Sequence, residues 1–311
     1  MNSINSKMIM KRSVRKLVKR HWQYYLLVLL PLVHMFIFYY LPMVGLQVAF
    51  KNFNASKGIW GSDWVGLRHF QRFLGSYNFS RIFMNTFVLS SLNIVVSFPI
   101  PIIFALMLNE VGNRKYKRIA QSISYAPHFI STIVVVAMLN QMLSLRFGIV
   151  NNILDALGFA RINFLAEPKM FRPLYILSGI WQHTGYSSII YIAALSAVDP
   201  TLYEAAKIDG ATRLQKILYI DIPSILPTAV IILILEVGRV MNLGIDKILA
   251  MQNAANLSVS EVISTHVYSM GIINADFSYA SAVGFFNSVI NLVLVASVNL
   301  FARKYGETSL W

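Results

Sequence analysis

The chain has 311 residues, of which 56% are hydrophobic and only 13% charged, and its formal net charge is +14. Soluble domains carry about 25% charged residues, so this chain has too few ions to cover a water-facing surface and a lipid-embedded protein is expected. There is no cysteine, which excludes disulfide frameworks and cysteine-based metal or redox chemistry.

The 1–21 segment is basic, with Lys11, Arg12, Arg15, Lys16, Lys19 and Arg20 close together. The apolar run behind it, over 22–43, passes Tyr40 without a small-residue cleavage site, which argues for a retained span rather than a signal peptide. An outer segment, 44–82, follows. Further runs near 85–108, 119–143, 174–198, 223–242 and 281–302 have the length that crosses a hydrocarbon core, about 20 residues of helix. The organisation expected is a basic segment 1–21, a first span 22–43, an outer segment 44–82, a core domain 83–302 with spans two to six, and a tail 303–311. With the N-terminus inside, Lys and Arg are more than twice as dense in 1–21, 109–118, 199–222 and 303–311 as in 44–82, 144–173 and 243–280. That bias is the topology signal of membrane proteins. The fold class is therefore an all-α membrane protein with six transmembrane helices, both termini cytoplasmic, and a cytoplasmic loop, 199–222, between spans four and five. The basic cluster fits anionic membrane lipid, not nucleic acid.

Polar groups inside apolar spans are costly and mark candidate solute paths. Asn140 and Gln141 close the third run. Trp181, Gln182, His183 and Tyr186 share the fourth, offering aromatic faces and amides of the kind that bind sugars. Glu236 and Arg239 lie three apart in the fifth, a spacing that lets them pair; such a pair either ties helices together or places Arg239 on the path of an acidic sugar. Asn287 and Asn291 sit in the sixth. Each of these residues also suits plain interhelical hydrogen bonding. Ser258 and Glu261 have capping-box spacing ahead of "VISTHVYSMG", predicting a short helix at the outer surface that ends at Gly271. The six histidines show no metal-ligand spacing, and no nucleophile elbow or phosphate loop occurs. Catalysis by this chain is not expected.

The stretch "YEAAKIDGATRLQKILYIDIPSILP" carries local stop and start signals. Asp199-Pro200 opens a helix, Thr201 with Glu204 offers a second start, Gly210 suits a left-handed end, and Thr212 with Gln215 starts a second helix. Pro223 and Pro227 mark the handover to the fifth span. Ala205, Ala206 and Ala211 keep this elbow low in profile, Glu204 and Asp209 offer carboxylates, and Leu202, Leu214, Ile217 and Leu218 offer apolar anchors. On physical grounds it is either a knob built for a partner or a hairpin that only joins two spans.

"EAAKIDGA", followed by Ile220, Pro223 and Pro227, resembles the EAA loop of binding-protein-dependent ABC importer permeases. Ile217 departs from it where many members carry phenylalanine, but the position stays apolar. "YYLPMVGLQVAFKNF", "WVGLRHF", "IWQHTGYSSIIYIAALSAVDPTLYEAA" and the closing "SLW" resemble the carbohydrate-uptake branch, nearest to permeases for oligosaccharides from complex polysaccharides. The resemblance implies a multi-pass protein of the bacterial plasma membrane that imports oligosaccharides. It makes Glu204, Ala205, Ala206, Asp209, Gly210, Ala211, Ile217 and Pro223 the surface coupled to a cytoplasmic ATPase dimer. It also implies a second permease subunit and an extracytoplasmic sugar-binding protein, with ATP and Mg bound on the ATPase and no cofactor on this chain. The alternatives are an ion-coupled secondary transporter, for which no half-to-half repeat is evident, and a membrane scaffold using the elbow as a static knob.

Overall fold

The computed structural model describes residues 19–305. Lys11, Arg12, Arg15, Lys16 and the closing "SLW" lie outside the described residues. The chain divides into two compact units, one ending at Arg68 and one beginning at His69.

In the first unit Trp22–Phe50 is one helix of 29 residues, about 44 Å long at 1.5 Å per residue. It therefore exceeds the hydrocarbon core, about 30 Å thick. It runs past the expected end at 43 because Pro42 falls at the opening of a tighter turn, Leu41–Phe50, where a missing N–H is tolerated. None of its most apolar stretch is buried. Behind it Lys51–Asn52 pairs antiparallel with Asp63–Trp64.

In the second unit Phe79–Asn109, Arg213–Val237 and Phe277–Lys304 each have the length and apolarity of a span. Two more candidates are bent pairs: Arg114–Phe129 with Thr132–Met142, at 97°, and Pro168–Ser196 with Pro200–Ile208, at 72°. The spans thus number four to six, and the six expected are reached only with both bent pairs. The unbroken third span over 119–143 does not form. The chain turns at Ile130, and Ser131 starts a new helix by accepting the Val134 N–H at 3.4 Å. The Ile130 carbonyl exposed at the bend receives Gln182 Nε2 at 2.8 Å. The fifth span starts at Arg213 rather than 223, and a wide turn over Ile217–Asp221 ends just before Pro223.

Three buried clusters hold the helices together. Leu89, Val136, Tyr175, Ile248 and Val262 centre the first. Phe73, Ile82, Met241, Ile263 and Tyr279 centre the second. Ala105, Tyr191, Leu195, Ile225 and Ala229 centre the third. Lipid is as apolar as these side chains, so close fit rather than exclusion of water joins the helices. Gly185 illustrates this: a Cβ there would collide with the Ser124 carbonyl, so only glycine lets the fourth span lie against Arg114–Tyr125.

At the end of the bundle away from the elbow, buried Asn256 donates to the carbonyls of Leu165 and Met251, both at 3.0 Å, tying two loops. The helix foreseen after Ser258 forms as Ile263–Tyr268 and continues in a wide turn, Ser269–Ile273, beyond Gly271. Ser258 and Glu261 do not cap it. Thr265 Oγ1 accepts the Val262 N–H at 3.0 Å, while Glu261 is held by Arg81 at 2.6 Å and His266 at 3.2 Å. Those two partners draw its carboxyl below its ordinary value, the His266 hydrogen bond most.

Candidate functional site

The elbow follows its local signals. Asp199 Oδ1 accepts the Thr201 N–H at 2.9 Å, so the Asp199-Pro200 start is used rather than Thr201 with Glu204, and the same bond holds the Asp199 carboxyl below its usual range. Helix Pro200–Ile208 ends at Gly210, whose φ is +72°. The Ala211 N–H reaches the Ala206 carbonyl at 2.8 Å and the Gly210 N–H reaches Lys207 at 3.2 Å, the paired bonds of a Schellman end. Thr212 and Gln215 then cap each other, at 3.3 Å and 2.7 Å. Glu204, Ala205, Asp209 and Gly210 are exposed, as are Leu202, Leu214, Leu218 and Pro223, while Ala206 and Ala211 are half-buried. Ile217 is half-buried as well, packed on the third cluster rather than presented outward.

Sequence alone did not point to Asp221, which is fully buried behind the elbow. Its Oδ1 accepts from the Tyr203 hydroxyl at 2.5 Å and from Asn109 Nδ2 at 3.4 Å, and its Oδ2 is buried without a partner. One carboxyl group therefore joins the elbow helix, the end of the second span and the start of the fifth. The available signal was an acid inside "ILYIDIPSIL". Nearby, half-buried Glu110 lies 3.9 Å from exposed Arg213 and 4.0 Å from half-buried Lys216, both long contacts.

A cavity of about 700 Å³ opens between the second, fourth and fifth spans, lined by Asn93, Ser97, His183, Tyr186, Tyr191 and Glu236 among others. A second, of about 240 Å³, shares Asn93, Gly179 and His183 with it and adds Tyr175, Gln182, Asp246 and Lys247. The shared residues make the two adjoining. Of the candidates from sequence, Tyr186 and Glu236 line the larger space and Gln182 the smaller. Asn140, Gln141, Trp181 and Arg239 are exposed and line neither. Asn287 is buried and donates to the Met241 carbonyl at 3.3 Å and Asn242 Oδ1 at 2.9 Å, tying the sixth span to the loop after the fifth. Glu236 and Arg239 form no ion pair. The helix stops at Val237, so helical spacing no longer sets them on one face.

Several lining residues had a legible signal. Asn93 and Ser97 are four apart and bonded at 3.2 Å. Gly179, Gln182, His183 and Tyr186 form a stripe at helical spacing. Tyr186 stacks on His128 with ring centroids 3.8 Å apart, and the two imidazoles meet at 3.1 Å. Lys247 had no such signal. Its amine donates to the Tyr175 carbonyl at 2.8 Å and lies 4.7 Å from the centre of that ring, and burial pushes its pKa down to about 8. Among the described residues no group of three or more metal-binding side chains occurs. The amides, hydroxyls and imidazoles suit a hydroxyl-rich solute.

Apolar helices around a cavity that carries several polar side chains, with an exposed elbow between two of them, define a membrane permease. Residues 97–307 match the binding-protein-dependent transport system inner membrane component, and the chain belongs to that family. The polygalacturonan/rhamnogalacturonan transport system permease protein YteP of Bacillus subtilis (strain 168) is 41% identical over 301 residues, 97% of this chain and 94% of that one. Protein LplB of the same organism is 39% identical over 294 residues, 94% and 92% of the two chains. A chain in the crystal structure of a bacterial alginate ABC transporter, in complex with an alginate pentasaccharide-bound periplasmic protein, matches with a TM-score of 0.88 and 39% identity, over 95% of this chain and 99% of that one. The family expected from the elbow residues is the family found.

Proposed function

We infer that this permease imports oligosaccharides released from polysaccharides, driven by ATP bound with Mg and hydrolysed on a separate cytoplasmic ATPase dimer. The observation that carries the reading is likeness over nearly the whole chain to a polygalacturonan/rhamnogalacturonan permease and to a subunit of an alginate transporter. The Lys and Arg bias supports a cytoplasmic placement of both termini and the elbow, and the family supports the bacterial plasma membrane as the site. There the exposed Glu204, Ala205, Asp209 and Gly210, with the half-buried Ala206 and Ala211 beside them, dock the ATPase, supported from behind by Ile217 and followed by Pro223. A second permease subunit completes the pore, and an extracytoplasmic binding protein delivers the sugar to the adjoining cavities, one lined by Tyr186 and Glu236 and the other by Gln182.

The test is uptake of labelled oligosaccharide into proteoliposomes holding the assembled transporter, with binding protein outside and ATP inside. Uptake should require ATP and disappear in Gly210→Pro, with membrane insertion retained. Uptake driven by an ion gradient without ATP, or normal uptake by the variant, would sink the reading.

A further inference from the structure

Lys247 is 7% exposed, and Gln182, on the wall of the same 240 Å³ cavity, is 2% exposed. An ammonium group has three donors; the partners here are the Tyr175 carbonyl and ring face. Among the described residues no carboxylate lies within 4.0 Å of it. A buried cation without a counter-charge is costly. Gln182 adds an independent sign of incompleteness: its Nε2 is spent on the Ile130 carbonyl, while its Oε1 is buried with no partner. Gly179 keeps the wall thin beside the amine, since a Cβ there would stand 3.3 Å from Lys247 Nζ. Asp246 also lines the cavity but is exposed, so water screens its charge.

A buried ammonium group and an unsatisfied amide oxygen, in a small cavity adjoining a larger one, ask for an anion that carries a hydroxyl beside it. A sugar acid has both on one ring. Resting on the sugar-importer reading above, we propose that Lys247 and Gln182 form a subsite on the solute path that binds one uronate residue, carboxylate on the ammonium and hydroxyl on Gln182 Oε1. The permease itself then favours acidic over neutral oligosaccharides, independently of its binding protein.

The test uses the assembled transporter with a galacturonate and a mannuronate trisaccharide, each against its carboxyl-reduced neutral counterpart. ATP-driven uptake by wild type should favour at least one acidic form. Lys247→Gln should cut that preference about tenfold or more, and Lys247→Arg should keep most of it. Preference unchanged in Lys247→Gln, or acidic and neutral uptake falling together, would overturn the subsite. A second measurement needs no variant: saturation-transfer NMR on the complex without binding protein should show stronger contact with the acidic trisaccharide, and equal contact overturns the proposal. Transport of none of the four sugars would instead remove the oligosaccharide reading, and the subsite with it.

Discussion

Tyr203→Phe deletes one oxygen and should loosen the elbow. The lost bond is the 2.5 Å contact to buried Asp221, whose other acceptor oxygen already lacks a partner. Hydrogen bonds to charged groups contribute about 1.5–3 kcal/mol. Tyr203 is only half-buried, so water replaces part of the loss and the lower figure, about 1.5 kcal/mol, is expected. That is roughly tenfold in the open population of the elbow. Trypsin cutting at Lys207 and Arg213 in inside-out vesicles reads that population when opening is fast relative to cleavage. Cleavage should rise about tenfold, with ATP-driven uptake reduced in parallel. In an Asp221→Ala background the same substitution should change little, because the acceptor is already gone. Additive effects of the two substitutions, or unchanged cleavage in Tyr203→Phe, would refute the latch. Cleavage only in right-side-out vesicles would refute the orientation as well.

Gly185→Ala places a methyl group against the Ser124 carbonyl. Overpacking of this kind costs about 1–3 kcal/mol, so the variant should show a lower Tm in detergent, and an unchanged Tm would mean that the two helices are free to separate. The Arg81–Glu261–His266 cluster should weaken in acid. The Glu261 carboxyl is drawn below its ordinary 4.5, so its contribution is full above that value and is lost as pH falls through the lower folded value. Glu261→Gln should therefore lower Tm at neutral pH and narrow the gap to wild type in acid; a gap that widens there would reverse the sign of the argument.

The elbow was legible because its signals are local. Asp199-Pro200, Gly210 and Thr212 with Gln215 each act within a few residues, and all three fold as the sequence implies. Hydropathy likewise exposes the long apolar runs. It could not expose the bend at Ile130, whose freed carbonyl is satisfied by Gln182, far along the chain. Lys247 escaped for the same reason: the loop helix Ile245–Met251 folds back onto Tyr175, and nothing near Lys247 in sequence announces it. The pairing of Glu236 with Arg239 failed on a boundary, since a helix ending at Val237 cancels a spacing argument that assumed it continued. Cavity residues were half-legible: the stripe on the fourth span follows helical periodicity, but which of its polar groups face open space depends on the neighbouring helices.

The cavity and the elbow share two helices, and that bears on how one could act on the other. Pro168–Ser196 carries Gly179, Gln182, His183 and Tyr186 on the cavity wall and, after a 72° bend, leads into the elbow helix Pro200–Ile208. The fifth span begins at the elbow's second helix, at Arg213, and brings Glu236 to the opposite wall. From Tyr186 to Ser196 the lever is about 15 Å, and from Arg213 to Glu236 about 35 Å, at 1.5 Å per residue. Asp221 binds the root of the second lever to Tyr203 on the elbow and to Asn109 on the second span, whose Asn93 also lines the cavity. Under the proposed docking, a displacement of the elbow by the ATPase would reach three cavity walls through rigid helices joined at one buried carboxyl group. Weakening that junction should then reduce transport per ATP hydrolysed before it reduces ATP hydrolysis itself.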